Sequence, residues 1–164
     1  MTRMTRGQEI IAALGLVPHP ERGFFTETYR AASLVEAHGA PRSASTAIYF
    51  LLADDHRSSA LHRLKSDELF HLYEGGPVRV PMLFPDGAGT IATLGRDLAA
   101  GERPQLVLPA GTWFGAQLAP GATHALWGCT VAPGFDFADF ELADDAQLTA
   151  RYPDFADLIH AMRR

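Results

Sequence analysis

The sequence predicts an all-β fold, a β-sandwich or barrel with short N- and C-terminal helices, and three observations predict it. First, about ten short runs rich in β-branched and aromatic residues crowd into about 120 residues, the strand density of sandwiches and barrels. Second, the 15 Gly and 11 Pro of the 164 residues fall between those runs, where they end strands, and form no linker. Third, helical spacing of apolar residues is confined to the two ends of the chain.

In order, Ile10, Ile11, Leu14 and Leu16 recur at roughly helical spacing until Pro18 and Pro20 stop them. From Gly23 the pattern becomes strand-like: FFTETYR, STAIYFLL, SALHRL, ELFHLYEG, VRVPMLF, TIATL, QLVLPAG, WFGAQLA, HALWGCTVA and FDFADFEL. Tyr49 and Phe50 point opposite ways, so one of them faces the barrel. In FDFADFEL the alternation predicts a core strand with Asp136 and Asp139 exposed. The tail returns to helical spacing through Leu148, Phe155, Leu158, Ile159 and Met162, broken at Pro153.

The length is close to the ~150 residues of one domain, so residues 1–164 read as a single domain. Hydrophobic residues at 47% and charged residues at 20% leave ample material for a core. A net charge of −5 without a basic run argues against nucleic acid as a partner. The single cysteine, Cys129, precludes an internal disulfide framework and predicts a reducing, cytoplasmic setting. It reads as a small buried residue, out of phase with His124. The N-terminus lacks the pattern of a signal peptide, and the longest apolar run, residues 47–53, is too short for a membrane helix, so no membrane partner is expected.

The chemistry concentrates in SSALHRLKSDELFHLYEGG, residues 58–76. Strand parity places His62 and Leu64 on one face and Arg63 and Lys65 on the other. Beyond a turn at Ser66 and Asp67, Glu68, Phe70 and Leu72 share a face. His62 and Glu68 can therefore converge, and His71 joins them only if a bulge re-aims it. His19–Gly23, HPERG, reads as a turn set by Pro20 and Gly23, with Glu21 or Arg22 reaching a ligand or a dimer mate as the less favoured reading.

These residues carry a resemblance to the cupin superfamily. His62, Leu64, Glu68 and Gly75 match the spacing of the first cupin motif, and Pro109, Gly111 and Phe114 match the second. Two of the four metal-ligand positions hold Leu64 and Phe114, so no bound metal and no cofactor are expected. Within the superfamily, LGLVPHPERGFFTETYR, HRLKSDELFHLYEG, VLPAGTWFGAQL and VAPGFDFADFEL followed by RYP resemble cupin superfamily 5, a family without a settled reaction. That resemblance implies a double-stranded β-helix, the cupin jelly roll, a small-molecule pocket and a homodimer. It also implies likeness to dTDP-4-dehydrorhamnose 3,5-epimerases.

Three functions compete. One is a metal-independent sugar or nucleotide-sugar epimerase or isomerase, with His62 as base, Glu68 orienting it, and Lys65 or Arg63 meeting a phosphate; its proton donor, Tyr73 or Tyr49, is nominal. The second is a non-catalytic module in which the same pocket senses or carries a small-molecule ligand, carbohydrate-like among the possibilities. The third is a metal-dependent cupin, with His71 or His124 rebuilding the ligand set. The candidate catalytic residues are His62 and Glu68, and the candidate ligand-binding residues are Lys65, His71, Trp113 and Phe114. Because His62 is expected at a solvent-filled mouth, His62→Ala is expected to cost little stability.

Overall fold

The structure, a computed structural model, describes residues 2–163. Helix α1 (Arg6–Leu14) opens with a reciprocal capping box between Thr5 and Gln8 and ends at Gly15, whose φ of 66° is the left-handed cap. Leu16 therefore lies beyond the helix, which stops before either proline. The strands follow as β1 (Val17–Pro18), β2 (Phe24–Arg30), β3 (Leu34–Ala37), β4 (Ala40–Ser43), β5 (Thr46–Ala53), β6 (His62–Leu64) and β7 (Asp67–Gly75). Then come β8 (Val78–Leu83), β9 (Gly89–Leu94), β10 (Gln105–Leu108), β11 (Trp113–Phe114), β12 (Gln117–Leu118), β13 (His124–Ala132) and β14 (Phe140–Leu142). Helices α2 (Asp145–Arg151) and α3 (Ala156–Ala161) close the chain, separated by a 3₁₀ turn beginning at Pro153.

Two antiparallel sheets face each other, as in a jelly roll. One runs β1-β2-β5-β13-β7-β10, and the other β12-β8-β11-β6-β14 with β9 on β8. Inward-pointing Phe50, Leu52, Phe70, Val80, Phe114 and Trp127 fill the space between them. Phe50 rather than Tyr49 faces the barrel, and Tyr49 joins Ile10, Leu16 and Leu51 beneath α1. The C-terminal helices cover the second sheet through Leu61, Leu83, Trp113, Tyr152, Ile159 and Met162. Among the described residues no helix is long and apolar enough to cross a membrane.

Two local expectations fail. The hairpin β3–β4, paired from Leu34↔Ser43 to Ala37↔Ala40, is absent from the sequence reading; its turn uses positive φ at both His38 and Gly39. The run FDFADFEL is a strand only from Phe140. Its middle is a 3₁₀ turn, Phe137–Asp139, because the Asp136 carboxylate accepts the Ala138 N–H at 2.8 Å and caps the turn. Once the chain turns there, Asp139 is buried, and Arg42 grips it with two hydrogen bonds of 2.7 and 3.0 Å. This pair fastens the β3–β4 hairpin to the segment that borders the barrel mouth.

Candidate functional site

A cavity of about 240 Å³ opens between the two sheets. Antiparallel pairing sets Phe114 of β11 directly across from His62 of β6, and Leu64 follows His62 on the same face. All three line the cavity, and Glu68 and Phe70 reach it from β7. The parity reading of 62, 64, 68 and 70 thus holds. The His62 ring is packed at 4.3 Å from the Phe114 ring and stacked at 5.3 Å on that of Phe140. At 5% exposure it is a packed residue and not a group at a wet mouth. The expectation that its removal costs little stability is therefore corrected.

The residue that the sequence reading underweighted is Glu21. In the HPERG turn, Arg22 N–H donates to the His19 carbonyl at 3.0 Å and His19 N–H to the Gly23 carbonyl at 2.9 Å. Gly23 has φ 80°, and a Cβ there would lie 2.7 Å from Phe50 ring carbons, so only glycine lets the turn close against the barrel. Ala60 N–H donates to the Glu21 carbonyl at 2.8 Å, which docks the turn on the strand leading to His62. The Glu21 side chain is thereby delivered to the imidazole, with Oε2 2.7 Å from Nδ1.

Two acceptors compete for His62 Nδ1. The Ala60 carbonyl lies at 2.8 Å and takes the aligned hydrogen bond. Glu21 contributes mainly charge, and its buried Oε2 is left without a hydrogen-bond donor. A carbonyl only accepts, so Nδ1 carries a proton and Nε2 is the ring nitrogen left for chemistry. Glu21, not Glu68, is the orienting carboxylate, which corrects the role expected of Glu68.

Electrostatics separates the groups. Burial pulls the His62 pKa down, but the charges of Glu21 and Glu68 outweigh it and hold the imidazole above its ordinary value. Burial pushes Glu68 up to about 7, opposed by the His62 charge. Near neutral pH this pair can hold a neutral imidazole beside a carboxylic acid, or exchange to imidazolium and carboxylate. Burial keeps His19 below its ordinary value, consistent with its Nδ1 accepting the Glu21 N–H at 3.2 Å. Burial and the same two carboxylates push the Cys129 thiol well up, so the buried cysteine is no nucleophile.

The raised Glu68 has a consequence for stability. Its folded pKa of about 7 lies above the ordinary 4.5, so between those values the folded state holds more protons than the unfolded chain and stability falls as pH rises. Glu68→Gln cannot ionise. Its melting temperature relative to the parent is expected to climb between pH ~4.5 and about 7 and then level off. A difference that stays flat across that window would show Glu68 ionising normally.

Three expected site residues lie elsewhere. Lys65 is exposed, one position past the end of β6, and does not line the cavity. His71 points to the outer face, where Nε2 meets Thr130 Oγ1 at 2.8 Å and Nδ1 accepts from Gln105 at 3.2 Å. The pairing irregularity of β7 with β13 falls between Leu126 and Trp127 and leaves His71 outward. Trp113, alternating with Phe114, faces the C-terminal helices and carries the Arg63 guanidinium 4.4 Å over its ring. Tyr73 and Tyr49 meet edge to face, 5.9 Å apart, on the outer side of the sheet, so neither can donate a proton into the barrel. His124 pairs with Glu74 at 3.2 Å, away from the cavity.

The cupin fold implies a metal bound by side chains of the barrel. Leu64 and Phe114 occupy two of those positions, and among the described residues no group of three or more His, Cys, Asp or Glu is placed to hold a metal ion. The residues present do not fit a bound metal ion.

Two facing antiparallel sheets around a mouth lined by motif positions define a cupin barrel. The family model Cupin_5, cupin superfamily (DUF985), matches residues 8–143. An uncharacterised protein of Saccharomyces cerevisiae, YML079W, is 30% identical over 146 residues, covering 80% of this chain and 72% of that one. Among solved structures, protein SO0799 of Shewanella oneidensis has a TM-score of 0.88 at 37% identity, covering 98% of this chain and 99% of that one. A hypothetical protein of Leishmania major also scores 0.88, at 34% identity over 94% and 97%. Oxalate decarboxylase of Bacillus subtilis shares the fold alone, with a TM-score of 0.55 and 15% identity over 88% of this chain and 36% of that one. The chain belongs to the Cupin_5 family.

Proposed function

We propose that this cupin is a metal-independent, isomerase-like enzyme that moves a proton on a small carbohydrate-like molecule held in the barrel. The observation that carries this reading is the placement of His62 and Glu68 on the two facing sheets, both buried against one cavity. In the neutral pairing, His62 Nε2 offers a lone pair and the Glu68 carboxylic acid offers a proton. His62 removes a proton from a carbon beside a carbonyl, and the C–H electrons pass into an enediol as the carbonyl oxygen takes the proton of Glu68. Protonation of a carbon of the enediol by the imidazolium, with the hydroxyl proton returned to Glu68, restores both groups. Glu68 thus carries the oxygen-bound proton; inversion at carbon would need a second donor on the face opposite His62, and Tyr73 and Tyr49, which the sequence offered for it, lie outside the barrel.

Such an enzyme exchanges carbon-bound hydrogen with solvent even when product does not accumulate. Incubation with hydroxyaldehydes and hydroxyketones in D₂O is expected to place deuterium beside the carbonyl, read by mass spectrometry. Stoichiometric binding without deuterium uptake would replace the enzyme by a binding module.

We further propose a homodimer formed through the outer face of the first sheet, where Tyr29, Tyr73 and Val107 stand 57%, 51% and 55% exposed. Apolar side chains on a sheet face are cheapest to cover with a second copy. Sedimentation at micromolar concentration is expected to give twice the monomer mass, and Tyr73→Glu to return it to the monomer. A monomeric parent protein would refute the pairing.

A further inference from the structure

We propose that the cavity selects a hydroxylated, non-anionic ligand about the size of a monosaccharide, and excludes phosphorylated and nucleotide-linked ones. The inference rests on the same cavity as the proton transfer above and narrows its substrate class. It departs from the nucleotide-sugar reading that the sequence suggested.

The first argument is charge. Glu21, Glu27, Glu68 and Asp136 line the cavity or its mouth, against a single guanidinium, Arg30. That guanidinium is committed: it grips both oxygens of Glu27 at 2.9 and 2.8 Å and donates to the Phe135 carbonyl at 3.1 Å. The cations that follow His62 in sequence turn away, Lys65 into solvent and Arg63 to Glu141 at 2.8 Å. A phosphate entering here would lose its water and meet Glu21 and Asp136 with no free guanidinium or ammonium; the one candidate counter-cation, the His62 imidazolium, is already faced by Glu21 at 2.7 Å, so the desolvation cost is poorly offset.

The second argument is the unmet hydrogen bonding. Two buried cavity-lining groups lack an aligned hydrogen-bond partner: Glu21 Oε2, an acceptor whose close polar neighbour is His62 Nδ1 at 2.7 Å, and Trp127 Nε1–H, a donor. Hydroxyl groups supply both complements, since each donates one hydrogen bond and accepts others. An ionised phosphate group seated against Glu21 could only accept and would leave that carboxylate unsatisfied. The remaining walls, Phe25, Phe50, Phe70 and Phe114, suit the C–H faces of a sugar ring. The third argument is size. About 240 Å³ falls below the ~300–1,000 Å³ of sites that enclose drug-sized ligands, so a nucleotide sugar would not be enclosed.

The test is a matched series of aldoses and ketoses with their phosphate esters, read by calorimetry and melting temperature. At least one neutral sugar is expected to bind, its phosphate ester at least about tenfold more weakly. Glu21→Gln is expected to weaken the neutral ligand by about tenfold or more, as for a buried hydrogen bond to a charged group. Arg63→Ala and Lys65→Ala are expected to leave it unchanged. Tighter binding of a phosphate ester, dependence on Arg63 or Lys65, or binding of no neutral member would each overturn the assignment. A neutral sugar that binds without deuterium exchange refutes the proton transfer and leaves this inference standing. Exchange on a phosphate ester does the reverse.

Discussion

His62→Ala is expected to abolish deuterium exchange and to destabilise the fold by about 2–4 kcal/mol, the scale of a large side chain deleted from a packed interior. The cost has two sources. The ring fills space between Phe114 and Phe140, and the relaxed barrel would retain part of that void. Its removal also leaves Glu21, 6% exposed, without the imidazole 2.7 Å away, and a buried charge stripped of its partner is costly. Because both effects appear together, alanine alone cannot assign a role. His62→Gln keeps most of the volume and an N–H within reach of the Ala60 carbonyl, so it is expected to fold with a loss under ~1.5 kcal/mol while exchange still disappears. Exchange at the parent rate in the glutamine variant would remove His62 as the base. A melting temperature unchanged in the alanine variant would show that the ring is not packed as described.

What was legible in the sequence was what strand periodicity alone decides. Positions 62 and 64 share a face, as do 68 and 70, and pairing of two sheets brings those faces together. The same rule holds at Trp113 and Phe114, where adjacent strand residues must part, so only one could line the cavity. Lys65 was placed in a strand that ends at Leu64, beyond which parity carries no information. Glu21 was hidden for a different reason. Its approach to His62 depends on a turn with positive φ at Arg22 and Gly23 and on the Ala60-to-Glu21 backbone hydrogen bond, a contact between segments far apart in sequence. The one available signal was the Pro20 to Gly23 turn immediately before a barrel strand. At Asp136 and Asp139, alternation was overridden by a side-chain cap that curled the backbone and turned an expected surface aspartate into a buried ion pair.

The largest expected gain is the return of a metal site. Phe114 pairs across from His62, Leu64 follows on the same face, and Glu68 reaches the same cavity, so Leu64→His with Phe114→His would supply three imidazoles and a carboxylate to one point. The parent already holds part of the required support: Nδ1–H of His62 donates to the Ala60 carbonyl, which fixes the ring and presents Nε2, as a ligating histidine needs. Replacing two apolar side chains with imidazoles inside the barrel costs the metal-free protein about 1–3 kcal/mol. Bound metal offsets this, since a ligand at 100 times its Kd stabilises by about 2.7 kcal/mol. The double variant is therefore expected to melt below the parent without metal and to rise when Ni²⁺ or Co²⁺ is added, retaining one equivalent after gel filtration. The parent is expected to show neither the rise nor the retained metal. A parent that keeps one equivalent through chelator would mean that its own side chains rebuild the site. A double variant that folds but binds nothing would mean that Leu64 and Phe114 do not occupy the ligand positions.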